Sequence, residues 1–242
     1  MSWFKDWFNT PYYHLLYKNR DFTEAEKFID NIINYLDPSI KASFLDLACG
    51  KGRHSIYINK KGFNVTGVDL SEASIKTAQE STNSNLKFET HDMRELYKAN
   101  QFDYVLNLFT SFGYFDDDQE DIRVLKAVHK GLKSNGILVF DYLNSEFVES
   151  TLKPAETINR GAINFEITKS IENNFVVKNI DFEADNKTHH FQERVKLLSL
   201  NKITSYLQAA NFEVKATFGD YNLNDFNQKT SNRLIIIAQK IG

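Results

Sequence analysis

Apolar residues recur at three- and four-residue intervals between residues 22 and 36. They are Phe22, Ala25, Phe28, Ile29, Ile32, Ile33 and Leu36. Residues with this spacing lie on one face of an α-helix. Thr23 can cap the start of such a helix, and Pro38 follows its end. The pattern therefore predicts an amphipathic helix over residues 22–36.

The stretch from residue 44 to residue 144 alternates between strand-like and helix-like patterns. Its strand-like runs are FLDLA, FNVTGVDL, LKFETHDM, FDYVLNLF and GILVFDYLN. The runs compatible with helices are RHSIYINKKG, SEASIKTAQESTN and a segment from about Asp118 to Leu132. Strands that alternate with helices form parallel sheets, because each parallel connection has to cross a face of the sheet. We therefore predict a parallel sheet with helices on both faces.

The pattern changes between Glu156 and Leu200. Short stretches of alternating polar and apolar residues, such as INFEITKSI, NFVVKNIDFEA and THHFQERVKLLSL, are separated by Asn-rich turns, which is typical of antiparallel strands. A helix in KITSYLQAAN and strands in FEVKATFGDY and RLIIIAQK then complete the first sheet. The predicted fold is α/β, with a doubly wound, mostly parallel seven-stranded sheet, helices on both faces and an inserted antiparallel β lid.

These segments divide the chain into four expected parts. N-terminal cap helices are expected over 1–43, and the core with the first five strands over 44–150. The inserted β lid is expected over 151–200. The C-terminal part of the core sheet then occupies 201–242.

Composition and charge narrow the class of protein. Of the 242 residues, 42% are hydrophobic and 14% aromatic, which is enough to bury a large core. The formal net charge of -3 disfavours a general attraction to nucleic acid. The single cysteine, Cys49, excludes an intramolecular disulfide and favours a reducing, cytoplasmic setting. The sequence has neither the long apolar run of a membrane span nor the uncharged apolar stretch of a signal peptide.

The run FLDLACGKG ends its predicted strand with two glycines, Gly50 and Gly52. Glycine lets the backbone turn sharply and leaves no side chain between it and a ligand. In open parallel sheets, ligands bind beyond the carboxyl ends of the strands. Asp69 ends the next strand, where a carboxylate can accept both hydroxyl hydrogens of a ribose. Two interpretations stay open here: an ordinary strand-to-helix turn, and a site for an adenosine-type ligand.

Two features disfavour a nicotinamide dinucleotide as that ligand. In GKGRHS, Ser55 stands where the GxGxxG fingerprint has its third glycine or an alanine. Asp46 lies inside the strand end, just before the loop. A carboxylate at that point suits a ligand with an ammonium group better than one with a pyrophosphate.

Five motifs resemble, in their order, those of the class I S-adenosylmethionine-dependent methyltransferases. They are LDLACGKG, GVDLS, HDMREL, FDYVLNLFTSFGYF and GLKSNGILVFDYLN, and they extend from Phe44 to Asn144 at the spacings that this family uses. The resemblance implies a Rossmann-like cofactor-binding core with S-adenosylmethionine (AdoMet) as cofactor. It also implies the cofactor residues: Asp46, Ala48, Gly50 and Gly52 for the methionine end, Asp69 for the ribose, Leu70, Asp92 and Met93 for the adenine, and Asn107 and Leu108 beneath the sulfonium.

The segment YYHLLYKNRD resembles the cap of the small-molecule branch, which includes glycine and sugar N-methyltransferases. In that branch, aromatic residues and an arginine close over the cofactor, which implies Tyr17 and Arg20 here. Arg20 is the candidate for the methionine carboxylate, because a guanidinium can pair with a carboxylate through two hydrogen bonds. The inserted strands likewise resemble a substrate lid of that branch.

Candidate residues for the acceptor pocket lie in three segments. They are Tyr13 and His14 near the start, Thr110, Ser111, Phe112 and Tyr114 after the fourth strand, and His189, His190 and Arg194 in the lid. Aromatic rings after the fourth strand can attract a cationic sulfonium or ammonium group. His14 is a candidate base, with ordinary packing as the alternative. No metal is expected, because adjacent histidines in a strand face opposite sides.

The sequence therefore predicts an enzyme that transfers a methyl group from AdoMet to a small-molecule acceptor by in-line displacement. The catalytic residues and the acceptor stay unassigned, and a monomer or homodimer is expected. Three alternatives stay open: a tRNA-modifying methyltransferase, a nicotinamide-dependent dehydrogenase, and a non-catalytic binder of an adenosine-type ligand.

Overall fold

Helices and strands alternate through the first part of the chain, and strands dominate the segment that follows. The computed structural model describes residues 3–18 and 22–242. Its helices are α1 (Trp3–Phe8), α2 (Pro11–Leu16), α3 (Phe22–Leu36), α4 (Arg53–Lys60), α5 (Glu72–Ala78), α6 (Asp118–Gly131), α7 (Ser145–Thr151) and α8 (Leu200–Ala209). Its strands are β1 (Ser43–Leu47), β2 (Asn64–Asp69), β3 (Leu86–Thr90), β4 (Phe102–Asn107), β5 (Leu132–Leu143), β6 (Ala155–Arg160), β7 (Ile163–Glu172), β8 (Phe175–Ala184), β9 (Lys187–Lys196), β10 (Phe212–Phe218) and β11 (Arg233–Lys240).

The main sheet of the described chain has seven strands, in the order β10-β11-β5-β4-β1-β2-β3. β1 pairs in parallel with β2 on one side and with β4 on the other. The pairs β2–β3 and β4–β5 are also parallel. β11 runs antiparallel to both β5 and β10. The predicted fold class is confirmed, because the sheet is mostly parallel and helices surround it.

Alternate residues of each strand pack into two cores, one on each face of the sheet. In β11, Leu234 and Ile236 belong to the first core, and Ile235 and Ile237 to the second. α6 and α8 cover the first face. α3, α4 and α5 cover the second, so the predicted amphipathic helix over 22–36 is confirmed as α3. Because both faces are covered, the central strands are apolar along most of their length.

The inserted segment forms a second sheet of four antiparallel strands, in the order β6-β7-β8-β9. α1 and α2 pack against this sheet in a third core, where Trp7 and Leu16 are buried beside Phe182. The small sheet is also attached to the main one, because the buried Lys196 ammonium of β9 lies 2.6 Å from the Asp121 carboxylate of α6. Across the described residues, no helix combines the length and the apolar character needed to span a membrane.

Several elements differ from the sequence predictions. α5 ends at Ala78 and continues as a single 3-10 turn, Gln79–Ser81, because the polar residues that follow form a turn of their own. β3 ends at Thr90, so His91 to Met93 lie in a loop. No helix was predicted at α7, and β6 lies in the expected β lid but outside its quoted strand-like runs. β6 is an edge strand whose residues are exposed or half-buried, so its sequence carries little apolar signal.

Candidate functional site

A cavity of about 400 Å³ lies at the carboxyl ends of the parallel strands, beside β1, β2 and β4. The strand order reverses at β1, and such a switch point leaves a crevice for ligands. Of the predicted cofactor residues, the cavity is lined by Tyr17, Asp46, Ala48, Gly50, Asp69, Leu70, Asp92, Met93 and Leu108. Of the predicted acceptor residues, it is lined by Tyr13, His14, Ser111 and Tyr114.

The two glycines of the turn after β1 have different surroundings. Gly50 has a φ of +56°, and no atom of the described residues lies within 4 Å of a Cβ built there. Gly52 has a φ of +79°, and a Cβ built there would lie 2.5 Å from the ring of Phe88. Gly50 therefore keeps the cavity wall open, whereas Gly52 permits close packing against β3. Gly52 does not line the cavity, so its predicted contact with the methionine end of the cofactor stays a prediction.

Asp69 is fixed by two backbone hydrogen bonds at the end of β2. The N–H of Gly50 donates to Oδ2 at 2.8 Å, and the N–H of Ser71 donates to Oδ1 at 2.8 Å. Burial raises the pKa of Asp69, and these backbone bonds oppose the shift because they stabilise the charged form. A carboxylate with two bonds filled keeps lone pairs for further donors, so Asp69 can still accept hydroxyl groups.

Asp46 is buried at the end of β1, with 1% of its surface exposed. The Ser55 hydroxyl donates to its Oδ2 at 2.6 Å. Burial raises the pKa of Asp46 to about 6; the bond from Ser55 and the charge of Arg53 lower it, and the charge of Asp69 adds to the rise. Such a carboxylate is costly to ionise alone and favours a cationic partner in the cavity.

Asp92 and Met93 lie in the loop after β3. The Arg94 guanidinium donates to both oxygens of Asp92, with Nη2 at 2.6 Å from Oδ2. These bonds lower the pKa of Asp92, so the side chain stays charged at neutral pH. Arg94 also pairs with Glu120 of α6 at 2.8 Å, which fixes the loop against the main fold. Asp92 is thus a well-placed acceptor at one end of the cavity.

Three of the predicted residues at or after the end of β4 lie outside the cavity lining. Asn107 is buried behind the wall, where its Nδ2 donates to the carbonyl oxygens of Leu47 and Ser111 at 3.1 and 3.3 Å. Thr110 turns its hydroxyl to Arg233, which donates to it at 2.9 Å. Phe112 is part of the first core. Asn107 and Thr110 therefore do not line the cavity, whereas Leu108 and Ser111 do.

The lid candidates lie away from the cavity. Arg194 pairs with Asp116 at 3.2 Å and packs over the ring of Phe175. His190 is exposed and bonds to Asp181, and His189 stacks on Phe182. None of the three lines the cavity, because β9 pairs within the small sheet, and their predicted place in an acceptor pocket stays a prediction. Arg20, the candidate for the methionine carboxylate, lies outside the described residues.

α1 and α2 form an aromatic wall over the cavity. The rings of Phe8 and Tyr13 are 4.8 Å apart, and those of Phe8 and Tyr114 are 5.8 Å apart. The Ser71 hydroxyl donates to the Asn9 side chain at 2.8 Å, which attaches the end of α1 to the start of α5. The N-terminal helices thus contact the small sheet on one side and the ligand cavity on the other.

The cavity has further lining residues that the sequence pattern did not single out for it. They are Phe4, Phe8, Asn9, Lys18, Leu47, Cys49, Lys51, Arg53, His54, Ser71, Ser74, His91, Phe109 and Phe115. Arg53 and His54 carried a signal, because they directly follow Gly52 at the predicted start of α4. Phe4 and Phe8 carried no sequence signal that distinguishes a residue of a cavity wall from a core residue. The described residues hold no group of three or more His, Cys, Asp or Glu side chains placed to bind a metal ion.

Together, the sheet order, the open turn at Gly50 and the carboxylates at the ends of β1 and β2 define a Rossmann-like fold with a ligand-sized crevice at its switch point. Residues 44–136 match the family described as a methyltransferase domain. Glycine N-methyltransferase of Rattus norvegicus is 32% identical over 123 residues, 44% of this chain and 42% of that protein. YqeM of Bacillus subtilis, which carries a provisional methyltransferase name, is 41% identical over 119 residues, 48% of this chain and 46% of its own length.

Similarity of structure extends further along the chain. The crystal structure of an S-adenosylmethionine-dependent methyltransferase from Clostridium acetobutylicum superposes with a TM-score of 0.80 at 20% identity, covering 96% of both chains. The sequence alignments, in contrast, span about half the length of the two curated relatives. The chain therefore shares its fold with S-adenosylmethionine-dependent methyltransferases, and its residues 44–136 match a methyltransferase domain.

Proposed function

We propose that the protein transfers a methyl group from AdoMet to a small-molecule acceptor. The observation that carries this proposal is the pair of carboxylates, Asp46 and Asp69, beside the open turn at Gly50. AdoMet offers an ammonium group, a sulfonium and two ribose hydroxyls, all of which suit carboxylate acceptors. A pyrophosphate in the same place would meet two like charges. The residues present therefore fit AdoMet better than a nicotinamide dinucleotide.

In this proposal, each part of AdoMet meets residues suited to it. Asp69 accepts the ribose hydroxyls, since its position is already fixed by Gly50 and Ser71. Asp46 holds the ammonium end, which offsets the cost of ionising a buried carboxylate. The adenine ring packs on Leu70 and Met93, with Asp92 as an acceptor for its amino group, as their place in the cavity allows.

Methyl transfer from AdoMet requires the protein mainly to position the methyl donor and the acceptor. AdoMet, when bound, supplies a methyl group activated by its sulfonium. Orientation and the removal of solvent can contribute roughly 7 to 11 kcal/mol to such a reaction. The wall of Phe8, Tyr13 and Tyr114 shields the cavity from water and presents ring faces that attract cations. His14, which lines the same cavity, is the candidate base for acceptors that have to lose a proton.

A small acceptor is supported by the size of the cavity and by the relatives. A cavity of about 400 Å³ is in the range of small-molecule sites. The rat relative is named a glycine N-methyltransferase. The net charge of -3 and the single Cys49 support our further proposals that nucleic acid is not the acceptor and that the protein works in the reducing cytoplasm. A monomer or homodimer is proposed as the working form.

An acceptor screen tests this function. The purified protein is incubated with AdoMet and, in separate reactions, with amines, amino sugars, small acids and tRNA, and S-adenosylhomocysteine (AdoHcy) is quantified. We expect one class of small molecule to raise AdoHcy formation above the acceptor-free rate, and Asp69→Ala to abolish that rise. AdoHcy formation with tRNA alone would contradict the small-molecule assignment. Failure to bind AdoMet would contradict the function as a whole.

A further inference from the structure

Two consecutive residues at the end of β4 have left-handed backbone conformations. Phe109 and Thr110 each have a φ of 60°. This region is rare for residues other than glycine, and it is least favourable for β-branched and bulky side chains such as these. Two such residues in sequence persist only where surrounding contacts hold them, and conformations of this kind cluster at functional sites.

The contacts that hold this turn come from Asp141, at the end of the neighbouring strand β5. The N–H of Phe109 donates to Asp141 Oδ2 at 2.8 Å, and the N–H of Thr110 donates to the Asp141 carbonyl oxygen at 3.1 Å. The Thr110 hydroxyl accepts from Nη2 of Arg233 at 2.9 Å. Two hydrogen bonds from Asp141 thus fix the backbone of both strained positions, and a third from Arg233 holds the Thr110 side chain.

Asp141 and Arg233 themselves form a buried ion pair. Nε and Nη2 of Arg233 lie 2.8 and 2.7 Å from Asp141 Oδ1, and the Asp141 side chain is fully buried. Burial raises the pKa of Asp141, and the facing guanidinium opposes that rise. The Tyr221 hydroxyl also points to Asp141, at 3.3 Å. A buried ion pair is weak evidence for stability, since apolar residues of similar size often serve as well. The bonds of this pair to the strained turn point to a more specific role.

The turn faces the ligand cavity through the ring of Phe109, which lines the wall. The Arg53 guanidinium lies 4.5 Å from the centre of this ring. Tyr221 stacks on Phe109 with ring centres 5.5 Å apart. Arg53 lines the cavity as well. A stack therefore runs from Arg53 in the cavity wall, through Phe109 and Tyr221, to the buried pair of Asp141 and Arg233.

We propose that Asp141 and Arg233 are positioning residues that hold Phe109 and, through it, Arg53 in the wall of the cavity, at the end that receives the amino-acid part of the cofactor. This inference rests on the proposed function, because it assigns that end of the cavity to AdoMet. Neither residue lines the cavity. Both act through the turn, so their loss changes the shape of one end of the site and leaves the end with Asp69 and Asp92 intact.

The test compares two ligands that share the adenosine group. AdoHcy carries the amino-acid part, and 5′-methylthioadenosine lacks it. The main variant replaces the pair by apolar residues, Asp141→Leu with Arg233→Leu, which leaves no buried charge unpaired. Leu138→Ala is the matched control, because Leu138 is buried in the same strand but packs in the core away from the turn. Dissociation constants are measured by isothermal titration at a temperature where circular dichroism shows every variant folded.

In the double variant, the Kd of AdoHcy is expected to rise about tenfold or more, since small misplacements at a site are costly. The Kd of 5′-methylthioadenosine is expected to stay within about twofold, as for independent sites. Leu138→Ala should leave both values unchanged. If the double variant does not fold, Arg233→Lys is used, because an ammonium can pair with Asp141 but lacks the fork that also reaches Thr110. It should raise the Kd of AdoHcy alone.

Other results overturn the inference. Equal AdoHcy affinity in the wild type and the variant, or equal weakening of both ligands, would show that the pair serves stability alone. If the wild-type protein binds neither ligand, the proposed function fails and the inference fails with it. The wild-type titration therefore distinguishes the two cases.

Discussion

The backbone N–H of Gly50 donates a hydrogen bond of 2.8 Å to Asp69, which joins the ends of β1 and β2. The second oxygen of the same carboxylate accepts the N–H of Ser71, also at 2.8 Å. The carboxylate that we expect to bind a ribose is thus held in place by its own chain. Groups that are already positioned bind ligands with less loss of conformational freedom.

Asp69→Ala should weaken AdoMet binding, because it removes the acceptor for both ribose hydroxyls. Hydrogen bonds to charged groups contribute about 1.5 to 3 kcal/mol. We expect the Kd from isothermal titration to rise at least about tenfold. Asp103→Ala is the control, since Asp103 also accepts a backbone N–H from a neighbouring strand, that of Ser43 at 2.8 Å, but at the amino ends of the strands. An unchanged Kd for Asp69→Ala would refute the ribose assignment.

Asp46→Asn should stabilise the ligand-free protein while weakening AdoMet binding. The pKa of Asp46 is raised by burial from 3.8 to about 6. The contribution of Asp46 to the free energy of unfolding is therefore greatest below the unfolded-state pKa. It is lost as the pH rises through about 6. Removing the carboxylate should recover on the order of 2 to 3 kcal/mol at pH 8, measured by urea denaturation. A less stable variant at pH 8 would contradict this account.

The pH dependence of binding should have the opposite sign to that of folding. A ligand ammonium favours the ionised form of Asp46, so the Kd of AdoMet in the wild type should rise as the pH falls through about 6. In Asp46→Asn, this dependence should be largely absent. Titrations of both proteins between about pH 5 and pH 8 test this, because that range spans the raised Asp46 pKa of about 6. Parallel pH profiles in the two proteins would exclude Asp46 as the partner of the ammonium.

Substitution of the two glycines should separate binding from stability. Gly50→Ala puts a methyl group into open space at the cavity wall, at a φ of +56°. We expect it to cost about 1 to 2 kcal/mol of backbone strain and to weaken AdoMet binding. Gly52→Ala introduces similar backbone strain and also forces the Phe88 ring to move. It should lower the melting temperature further than Gly50→Ala does. Equal melting temperatures would contradict the packing role of Gly52.

Glu193→Gln should loosen the N-terminal helices from the small sheet. Glu193 accepts from Trp7 Nε1 at 2.7 Å and from the Tyr17 hydroxyl at 2.8 Å. It also faces Lys178 at 3.6 Å, in a setting that is mostly buried. Neutralising Glu193 leaves that ammonium without its facing charge, which is costly away from water.

Tryptophan fluorescence reports this change directly, because both tryptophans of the chain, Trp3 and Trp7, lie in α1. We expect a red-shifted emission and faster amide hydrogen exchange over residues 3–18 in Glu193→Gln. Glu183→Gln is the control, since Glu183 is exposed on the adjacent strand β8. Identical spectra and exchange rates in the two variants would show that Glu193 does not hold these helices.

The parallel core could be predicted because its signals are local. The change of hydrophobic period marks each strand and helix, and Asp46 and Asp69 end consecutive parallel strands. The carboxyl ends of such strands share one edge of the sheet, so both carboxylates had to lie near the glycine turn. The cavity contains both of them.

The remaining site residues depend on long-range contacts that a local pattern does not carry. The left-handed turn at Phe109 and Thr110 breaks the alternation of side chains that a strand would continue, so Thr110 faces Arg233. Gly52 faces Phe88 of β3, which lies far along the chain. Arg194 pairs opposite Val177 in the small sheet, and that register is set by hairpins within the insertion.

The most direct test of the central claim is isothermal titration of the purified wild-type protein with AdoMet and, separately, with NAD. The cavity at Asp46, Gly50 and Asp69 predicts saturable binding of one AdoMet per chain and no binding of NAD. Binding of NAD alone, or of neither ligand, would contradict the assignment of this cavity to the methyl donor.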